Sequence, residues 1–350
     1  MMNTDDEIIK EEAGEELYER KSFKVDAGQE PLRIDKWVQQ RIENATRNKV
    51  QQSIEAGFLT VNGKPVKSNY KVKSGDVIVS MSLINPEYTE VKAENIPLHI
   101  VYEDDEVMIL NKPPNMVVHP GVGNYTGTLL NGIAYYLLNQ NPHLTEEDLP
   151  RYGLVHRIDK NTTGLIAVAK TPEAAAHLAK QFFNHTVSRK YVALVWGNIE
   201  KDEGTIVAHV GRHQRHRKMF DAYPEGESGK HATTHYTVIE RFNYVTLVEC
   251  RLETGRTHQI RVHMKHIGHT LFNDAEYGGD KILKGTVYSK YKQFVDNCFE
   301  VCPRCALHAA TLGFVHPKTN EQLFFEAPLP FDIKSLIEKW RNYTSNKMEL

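Results

Sequence analysis

The sequence predicts a mixed α+β protein: a small domain of two helices and a β-hairpin, followed by a larger domain built mainly on antiparallel sheet. Apolar residues recur at helical spacing between residues 32 and 54, and a hairpin signal follows them. Several segments rich in β-branched and aromatic residues lie between residues 191 and 252, with few helical stretches nearby. A length of 350 residues, at about 150 per domain, also indicates two or three domains.

The small domain is predicted over residues 31–81. Its first helix follows from the apolar spacing, and its second is expected to have Thr46 as N-cap and to end at Gly57. A hairpin follows because Asn62-Gly63 supplies the two positive φ angles of a tight turn. A last strand is predicted over residues 77–81.

The larger domain is predicted over residues 98–340. It begins with a hairpin over residues 98–110, followed by a helix over residues 128–138 and another helix that Thr171 caps. Further strands are predicted at residues 165–169, 191–195, 204–210, 235–240 and 244–252. The remaining segments are an acidic leader expected to be flexible, a proline-containing linker and a tail; they cover residues 1–30, 82–97 and 341–350.

A formal net charge of −2 hides strong segregation of charge along the chain. Residues 1–30 carry ten acidic and four basic residues, whereas residues 31–80 carry nine basic and four acidic ones. Such a basic segment is typical of phosphate-backbone binding, and a second basic run covers residues 212–218. For either run alone, a solvated face is the favoured interpretation. The expected phosphate contacts of the small domain are Arg33, Lys36, Arg47, Lys49 and Lys64.

A carboxylate stands in the polar loop before an apolar strand. Asp159 lies between Arg157 and a Thr-Thr-Gly turn that leads into the strand of residues 165–169. Loops held by rigid strands often carry catalytic groups, although a turn-capping aspartate is the ordinary alternative. Composition alone favours that alternative.

Basic residues crowd a second segment after the strand that is predicted to end at Gly255. Thr257 is the expected cap of a short helix, on which His258, Arg261 and Lys265 would share one face. Three basic groups on one face repel each other unless an anion lies opposite. We therefore expect a carboxylate or phosphate there.

Four motifs in order give the chain a family resemblance. They are His156-Arg-Ile-Asp159 with Thr162-Thr-Gly164, Gly255-Arg-Thr-His-Gln-Ile-Arg-Val-His263, Leu307-His-Ala309, and Phe314-Val-His-Pro317 with Ala327-Pro-Leu-Pro330. They resemble those of the RluA-type pseudouridine synthases, and the basic amino-terminal domain makes the chain similar to the RluD branch, which acts on large-subunit ribosomal RNA. Ile158 and Thr163 stand where leucine and serine are usual, and Cys305 replaces a more common glutamine.

The resemblance implies an isomerisation of uridine in RNA that needs neither metal nor cofactor. It implies that Asp159 is the catalytic carboxylate, that Arg261 keeps it ionised and that Tyr191 lies against the target base. It implies that Arg157 enters the gap left by an extruded base and that Leu307 closes the pocket. The other residues expected to contact substrate are His156, Thr163, Arg256, Thr257, His258 and His308.

Other interpretations stay open at this stage. The chain could be a ribosome-assembly factor that binds RNA without catalysis, and its RNA could be transfer RNA instead of ribosomal RNA. Cys298, Cys302 and Cys305 have the spacing of a radical S-adenosylmethionine cluster loop, or could bind zinc with His308, but we expect three thiols without metal. No run of about 20 apolar residues and no signal sequence is evident, so we expect a cytoplasmic protein. A monomer without an obligate protein partner is the default expectation.

Overall fold

The computed structural model describes residues 11–12, 18–42, 47–55, 57–83, 91–121, 124–216, 219–286 and 288–348. Its strands are β1 (Glu11–Glu12), β2 (Tyr18–Lys24), β3 (Leu59–Val61), β4 (Lys64–Pro65), β5 (Val77–Leu83), β6 (Ile100–Glu103), β7 (Val107–Lys112), β8 (Thr163–Ala169), β9 (Ser188–Trp196), β10 (Glu203–Arg212), β11 (Phe220–Tyr223), β12 (Lys230–Arg241), β13 (Val245–Leu252), β14 (Leu307–Val315) and β15 (Gln322–Glu326). Its helices are α1 (Ile34–Gln39), α2 (Arg47–Glu55), α3 (Leu129–Gln140), α4 (Pro172–Phe183), α5 (Gln259–His266), α6 (Ser289–Val301) and α7 (Phe331–Met348).

The first sheet has the order β1-β2-β5-β3-β4 and is antiparallel throughout. Its core joins apolar residues of α1 and α2 to the sheet, among them Ile34, Trp37 and Leu59. Asn62 and Gly63 have φ angles of 50° and 74°, as the predicted hairpin turn requires. The predicted cap at Thr46 lies outside the described residues.

Part of the acidic leader belongs to this sheet. The sequence predicts a flexible segment over residues 1–30, but β2 pairs with β5 from one end to the other. Phe23 and Val25 are buried in the small core. The alternation of polar and apolar side chains from Ser22 to Val25 is a strand signal that the acidic composition obscures. The prediction of flexibility is therefore wrong for residues 18–24.

The second sheet contains ten strands among the described residues. Its order is β11-β10-β12-β13-β9-β14-β8-β7-β6, and β15 also pairs with β14. Every pair is antiparallel except β8 and β14, which run parallel. The predicted α+β class with a largely antiparallel sheet is confirmed. Strands β8, β14 and β9 lie at its centre, where the main apolar core forms.

The second half of the predicted linker is attached to α3. Residues 91–97 have no helix or strand, and residues 84–90 lie outside the described chain. Asn131 of α3 donates its side-chain amide to the carbonyl of Lys92 at 2.8 Å and accepts the Glu94 N–H at its own carbonyl at 3.0 Å. The described part of this segment is therefore held against the larger domain.

The carboxyl-terminal segment is helical farther than the sequence predicts. A tail is predicted over residues 341–350, but α7 continues to Met348. The ring of Tyr343 stacks on Phe294 of α6, with centroids 4.1 Å apart, and lies beside Trp340. This aromatic packing against α6 extends the helix past residue 340, a tertiary contact that local sequence does not reveal.

Strands β8 and β14 approach closely where Gly164 lies beside Ala309. Gly164 has a φ of +115°, and a Cβ there would lie 2.1 Å from the Ala309 carbonyl oxygen. Only glycine fits both the backbone conformation and the space. The same contact sets β8 against β14 immediately after the loop that carries Asp159.

Replacing Gly164 by alanine should therefore lower the free energy of unfolding by about 4 kcal/mol, because the new methyl group collides with backbone that cannot turn away. Gly226 is the matched control: its φ is +85°, but a Cβ there meets no atom within 4 Å. Gly226→Ala should cost only about 1 kcal/mol of backbone strain. Urea denaturation of both variants measures the difference, and equal losses would contradict the proposed crowding.

Candidate active site

The central strands bring three elements of the chain around one cleft. Asp159 lies in the loop before β8, Leu307 begins β14, and Tyr191 lies on β9 opposite Ala309 of β14. The cleft is narrow and partly open to solvent. It is lined by Ile158, Asp159, Thr162, Tyr191, Leu252, Arg256, His258, Gln259, Ile260, Arg261 and Leu307.

The carboxylate of Asp159 is almost enclosed, with its side chain only 11% exposed. Its Oδ2 accepts a hydrogen bond from Nη1 of Arg261 at 3.0 Å, and its Oδ1 lies 3.7 Å from Nε2 of His258. Burial pushes the pKa of Asp159 upward, but His258, Arg261 and Arg157 together outweigh burial and hold that pKa below its ordinary value. Asp159 is therefore ionised at neutral pH although it is shielded from water.

Arg261 is the centre of the charged network. Its Nε and Nη2 donate to the two carboxylate oxygens of Asp274 at 2.7 and 2.8 Å, and Nη2 also donates to Glu276. Asp274 is buried, whereas the Glu276 side chain is 52% exposed. The bidentate contact with Asp274 fixes the plane of the guanidinium, so that Nη1 points at Asp159.

The anion expected opposite the basic face is thus supplied by carboxylates of the chain itself. Asp274 and Glu276 were not among the residues that the sequence predicted for the site. Their signal in the sequence is weak, because the segment Asn273-Asp-Ala-Glu-Tyr277 has no strand or helix periodicity. A buried arginine that faces Asp159 nevertheless needs further acceptors for its remaining N–H groups, and this need could have suggested a second carboxylate.

His258 lies at the N-cap of α5, where the sequence predicts Thr257. Its backbone is left-handed, with a φ of 58°, and no side chain caps the helix. Nδ1 of His258 lies 2.8 Å from the hydroxyl of Tyr277, which already accepts the Phe220 N–H. The hydroxyl proton is therefore available for Nδ1; when the hydroxyl donates it there, the His258 proton is on Nε2, the atom that faces Asp159.

Burial lowers the pKa of His258, despite the opposing charge of Asp159. The ring is consequently neutral at pH 7, and the permanent positive charge beside Asp159 comes from Arg261 and Arg157. A neutral imidazole with its proton on Nε2 still presents a donor toward the carboxylate.

Two buried basic side chains fix the backbone of the Asp159 loop. Lys112, at the end of β7, donates to the carbonyls of Pro113, Met116 and Lys160 at 2.8 to 3.0 Å. Burial lowers the pKa of Lys112 to about 7, although Asp159 acts in the other direction. Sequence analysis did not identify this lysine, which follows an ordinary apolar strand.

The second cation is Arg304, only 4% exposed. Its Nη1 donates to the carbonyl of Asn161 at 2.8 Å, while Nε and Nη2 bind the carboxylate of Asp332 at the start of α7. The loop carbonyls of residues 160 and 161 are therefore both held by buried cations, which limits the positions available to Asp159.

Six of the predicted site residues line the cleft, and the others do not. Those that line the cleft are Asp159, Tyr191, Arg256, His258, Arg261 and Leu307. Thr257 and Arg157 are sequence neighbours of residues that line the cleft but do not line it themselves. Arg157 is partly exposed and lies close enough to affect the pKa of Asp159, so its predicted role stays a prediction.

Three predicted contacts are buried behind the cleft instead of facing it. His156 accepts the Ala167 N–H at Nε2 and stacks on Phe182, while Nδ1 of His308 lies 2.9 Å from the Thr163 hydroxyl. Burial lowers the pKa of His156 to about 3 and also lowers that of His308. Their prediction as RNA contacts is wrong for this structure, because strand packing orients these side chains into the protein.

In the small domain, the two predicted arginines converge on a carboxylate. Arg33 and Arg47 donate to the buried Asp35 at 2.9 and 3.0 Å and thereby join α1 to α2, although both side chains keep substantial exposure. Lys36 and Lys64 are exposed to solvent. The side chain of Lys49 lies outside the described residues, and the RNA contacts of all five stay predictions.

The three clustered cysteines are buried thiols. Cys298 and Cys302 belong to an apolar cluster between α6 and α7, and Sγ of Cys305 lies 3.5 Å from Oδ2 of Asp274. Burial raises the pKa of Cys298 and Cys302 to about 12, which keeps them protonated. In the described part of the chain, no group of three or more His, Cys, Asp or Glu residues is arranged to hold a metal ion. Nor is any helix there long and apolar enough to span a bilayer.

Comparison with known proteins gives two family matches. Residues 106–266 match the model of RNA pseudouridylate synthase, and residues 32–78 match that of the S4 domain. The first match contains Asp159, Tyr191 and Arg261, and the second covers α1, α2 and the hairpin.

Similar proteins align over most of the chain. An uncharacterized RNA pseudouridine synthase of Chlorobaculum parvum is 48% identical, over 89% of this chain and 95% of that protein. The ribosomal large subunit pseudouridine synthase D of Nitrosomonas europaea is 42% identical, over 89% of this chain and 85% of that protein. The solved structure of human RNA pseudouridylate synthase domain containing 4 has a TM-score of 0.53 at 21% identity, over 69% of this chain and 93% of that one, and shares the fold.

The ionisation of Asp159 is testable without any substrate. Its pKa should lie below the ordinary value of 3.8, and it should rise when Arg261→Gln is combined with Asp274→Asn. The double substitution removes the hydrogen-bonded positive charge of Arg261, while His258 and Arg157 remain, and it leaves no unpaired carboxylate at residue 274. Titration of the Asp159 carboxyl carbon by NMR measures both values.

Glu276→Gln serves as the control for this titration, because it changes an exposed neighbour of Arg261 and should leave the pKa of Asp159 below 3.8. Circular dichroism verifies that each variant is folded at the pH of measurement. An unchanged pKa in the folded double variant would contradict the role assigned to Arg261.

Proposed function

The chain belongs to the RNA pseudouridylate synthase family, and we propose that it converts uridines of large-subunit ribosomal RNA to pseudouridine with Asp159 as the catalytic carboxylate. The enzyme breaks the N-glycosidic bond of a uridine and joins the base to the ribose again through carbon. Two observations support the choice of RNA. Relatives named ribosomal large subunit pseudouridine synthase D are 38% to 42% identical to the chain, and an S4 domain precedes the larger domain.

The observation that carries the proposal for the site is an ionised, water-shielded carboxylate bonded to a fixed arginine in a cleft. Asp159 has the negative charge that is needed either to attack the ribose or base or to remove a proton from the sugar. Its hydrogen bond to Arg261 helps to keep the Asp159 carboxylate deprotonated and therefore negatively charged. A guanidinium suits this purpose because it does not deprotonate in proteins.

The depth of Asp159 determines how substrate must arrive. A carboxylate with 11% exposure at the base of a cleft is out of reach of a uridine that is stacked in RNA. The nucleotide must therefore be extruded, which costs a few kcal/mol unless lost stacking is replaced. Tyr191 and Leu307 line the cleft and supply an aromatic and an apolar surface for the base, and Arg157 is the proposed occupant of the gap in the RNA.

Asp274 is the proposed positioning residue for Arg261. Its two oxygens bind Nε and Nη2, which leaves Nη1 for Asp159. Without this clamp, the guanidinium would be free to rotate and the distance from Nη1 to Asp159 would vary. We further propose that the enzyme acts as a monomer in the cytoplasm and that its own side chains provide all the groups required.

Asp159→Asn should lower turnover by at least about 10³-fold, because the amide has neither the charge nor the basicity of the carboxylate. Affinity for RNA should change by less than about threefold, since phosphate contacts dominate it. Pseudouridine formed on an unmodified large-subunit ribosomal RNA transcript, together with filter binding, gives the two measurements.

Asp280→Asn, at an exposed aspartate, is the control. Appreciable turnover by Asp159→Asn would exclude the residue as the catalytic group, and wild-type protein that binds the transcript without forming pseudouridine would refute the proposed substrate.

Asp274→Asn should lower kcat by about 10²-fold, since a displacement of about 1 Å at Arg261 is enough to cause such a loss. Glu276→Gln should lower it far less, because Glu276 is half exposed and makes one contact with Arg261. Steady-state kinetics of both variants on the same transcript measures the difference. Equal losses would show that Arg261 depends on its total charge environment and not on the bidentate clamp.

A further inference from the structure

A second groove adjoins the cleft and shares Leu252 and Arg256 with it. It runs between the end of α4, the start of β9 and the edge formed by β12 and β13. Its lining residues are His185, Thr186, Val187, Ser188, Arg189, His231, Arg251, Leu252, Glu253, Thr254 and Arg256. The three arginines of this set are not engaged by the charged network around Asp159.

Arg189 is the most unusual member of the groove. It is only 4% exposed, its guanidinium carbon lies 5.4 Å from the centre of the Phe182 ring, and its Nε has no hydrogen-bond partner among the described residues. Gly255 leaves room for the guanidinium, since a Cβ at Gly255 would lie 2.9 Å from its Nη1. Burying a cation with an unpaired N–H donor costs free energy unless an anion accepts a hydrogen bond from that donor.

Two further arginines surround the same groove. Arg251 is exposed on β13, and Arg256 is partly exposed and donates from Nε to the carbonyl of His231 at 3.2 Å. Burial, with the positive charges of Arg256 and Arg189, lowers the pKa of His185, which agrees with a crowded positive environment. The single carboxylate of the groove, Glu253, lies 2.6 Å from Nε2 of His235 and is 54% exposed. The groove therefore has an excess of positive charge.

We propose that this groove binds backbone phosphates of the RNA strand next to the target nucleotide, with Arg189 and Arg251 as the main contacts. Phosphodiesters suit the planar fork of arginine, which can donate two parallel hydrogen bonds to them. Because the groove adjoins the cleft at Leu252 and Arg256, a strand held there would place its neighbouring nucleotide close to Asp159. The inference rests on the proposed function for the identity of the polyanion.

The test measures binding separately from turnover. Arg251→Gln is placed in the Asp159→Asn background, and affinity for the large-subunit ribosomal RNA transcript is measured by filter binding over a range of salt concentrations. Loss of one phosphate contact should weaken binding about tenfold at low salt and reduce the slope of log affinity against log salt by about one. Lys290→Gln, at an exposed lysine on α6 away from the groove, is the matched control and should change neither quantity.

Arg189 is tested by Arg189→Lys, which keeps the charge but removes the planar fork, and by Gly255→Ala, which displaces the guanidinium without removing it. Both should weaken binding while the melting temperature stays near that of the parent protein.

With Asp159 intact, the loss for Arg251→Gln should fall on KM more than on kcat. Unchanged affinity and salt slope in Arg251→Gln, or a loss equal to that of Lys290→Gln, would overturn the proposal. Wild-type protein that fails to form pseudouridine would refute the function alone, because the salt slopes test the groove independently.

Discussion

The site depends on one constraint: the carboxylate of Asp159 must stay ionised where water is largely excluded. Burial alone would protonate Asp159. Arg261 prevents this, but a buried guanidinium is itself costly unless its donors are satisfied, and Asp274 and Glu276 satisfy them. The ion pair is therefore one part of a larger network whose members stabilise one another. Removing Arg261 or Asp274 leaves an uncompensated charge in the interior.

The central sheet gives this network its geometry. The parallel contact of β8 with β14 sets the Asp159 loop beside Leu307, and the antiparallel contact of β14 with β9 sets Tyr191 on the next strand. Lys112 and Arg304 then hold the loop carbonyls from two directions. Register thus determines which side chains share the cleft, and buried hydrogen bonds determine where the charged oxygens lie within it.

Sequence reasoning identifies the elements and the two charged residues that occur in recognisable motifs, Asp159 and Arg261. It does not identify Asp274, because an aspartate in an irregular segment has no local signal of burial. Lys112 is missed for a similar reason: a lysine that follows an apolar strand usually faces solvent, and only the fold shows three carbonyls around it.

The predicted contacts at His156, Thr163 and His308 fail because motif membership does not distinguish a residue that faces the substrate from one that supports the strands. The partial strand in the acidic leader and the end of α7 depend on tertiary pairing, which composition does not report.

The bridge from Arg304 to Asp332 couples the Asp159 loop to α7. Arg304 binds the loop at the carbonyl of Asn161 with one nitrogen and Asp332, at the start of α7, with two others. Local unfolding at the start of α7 would therefore free Arg304 and, with it, the carbonyl of Asn161, so that the position of Asp159 depends on a helix far from it in sequence.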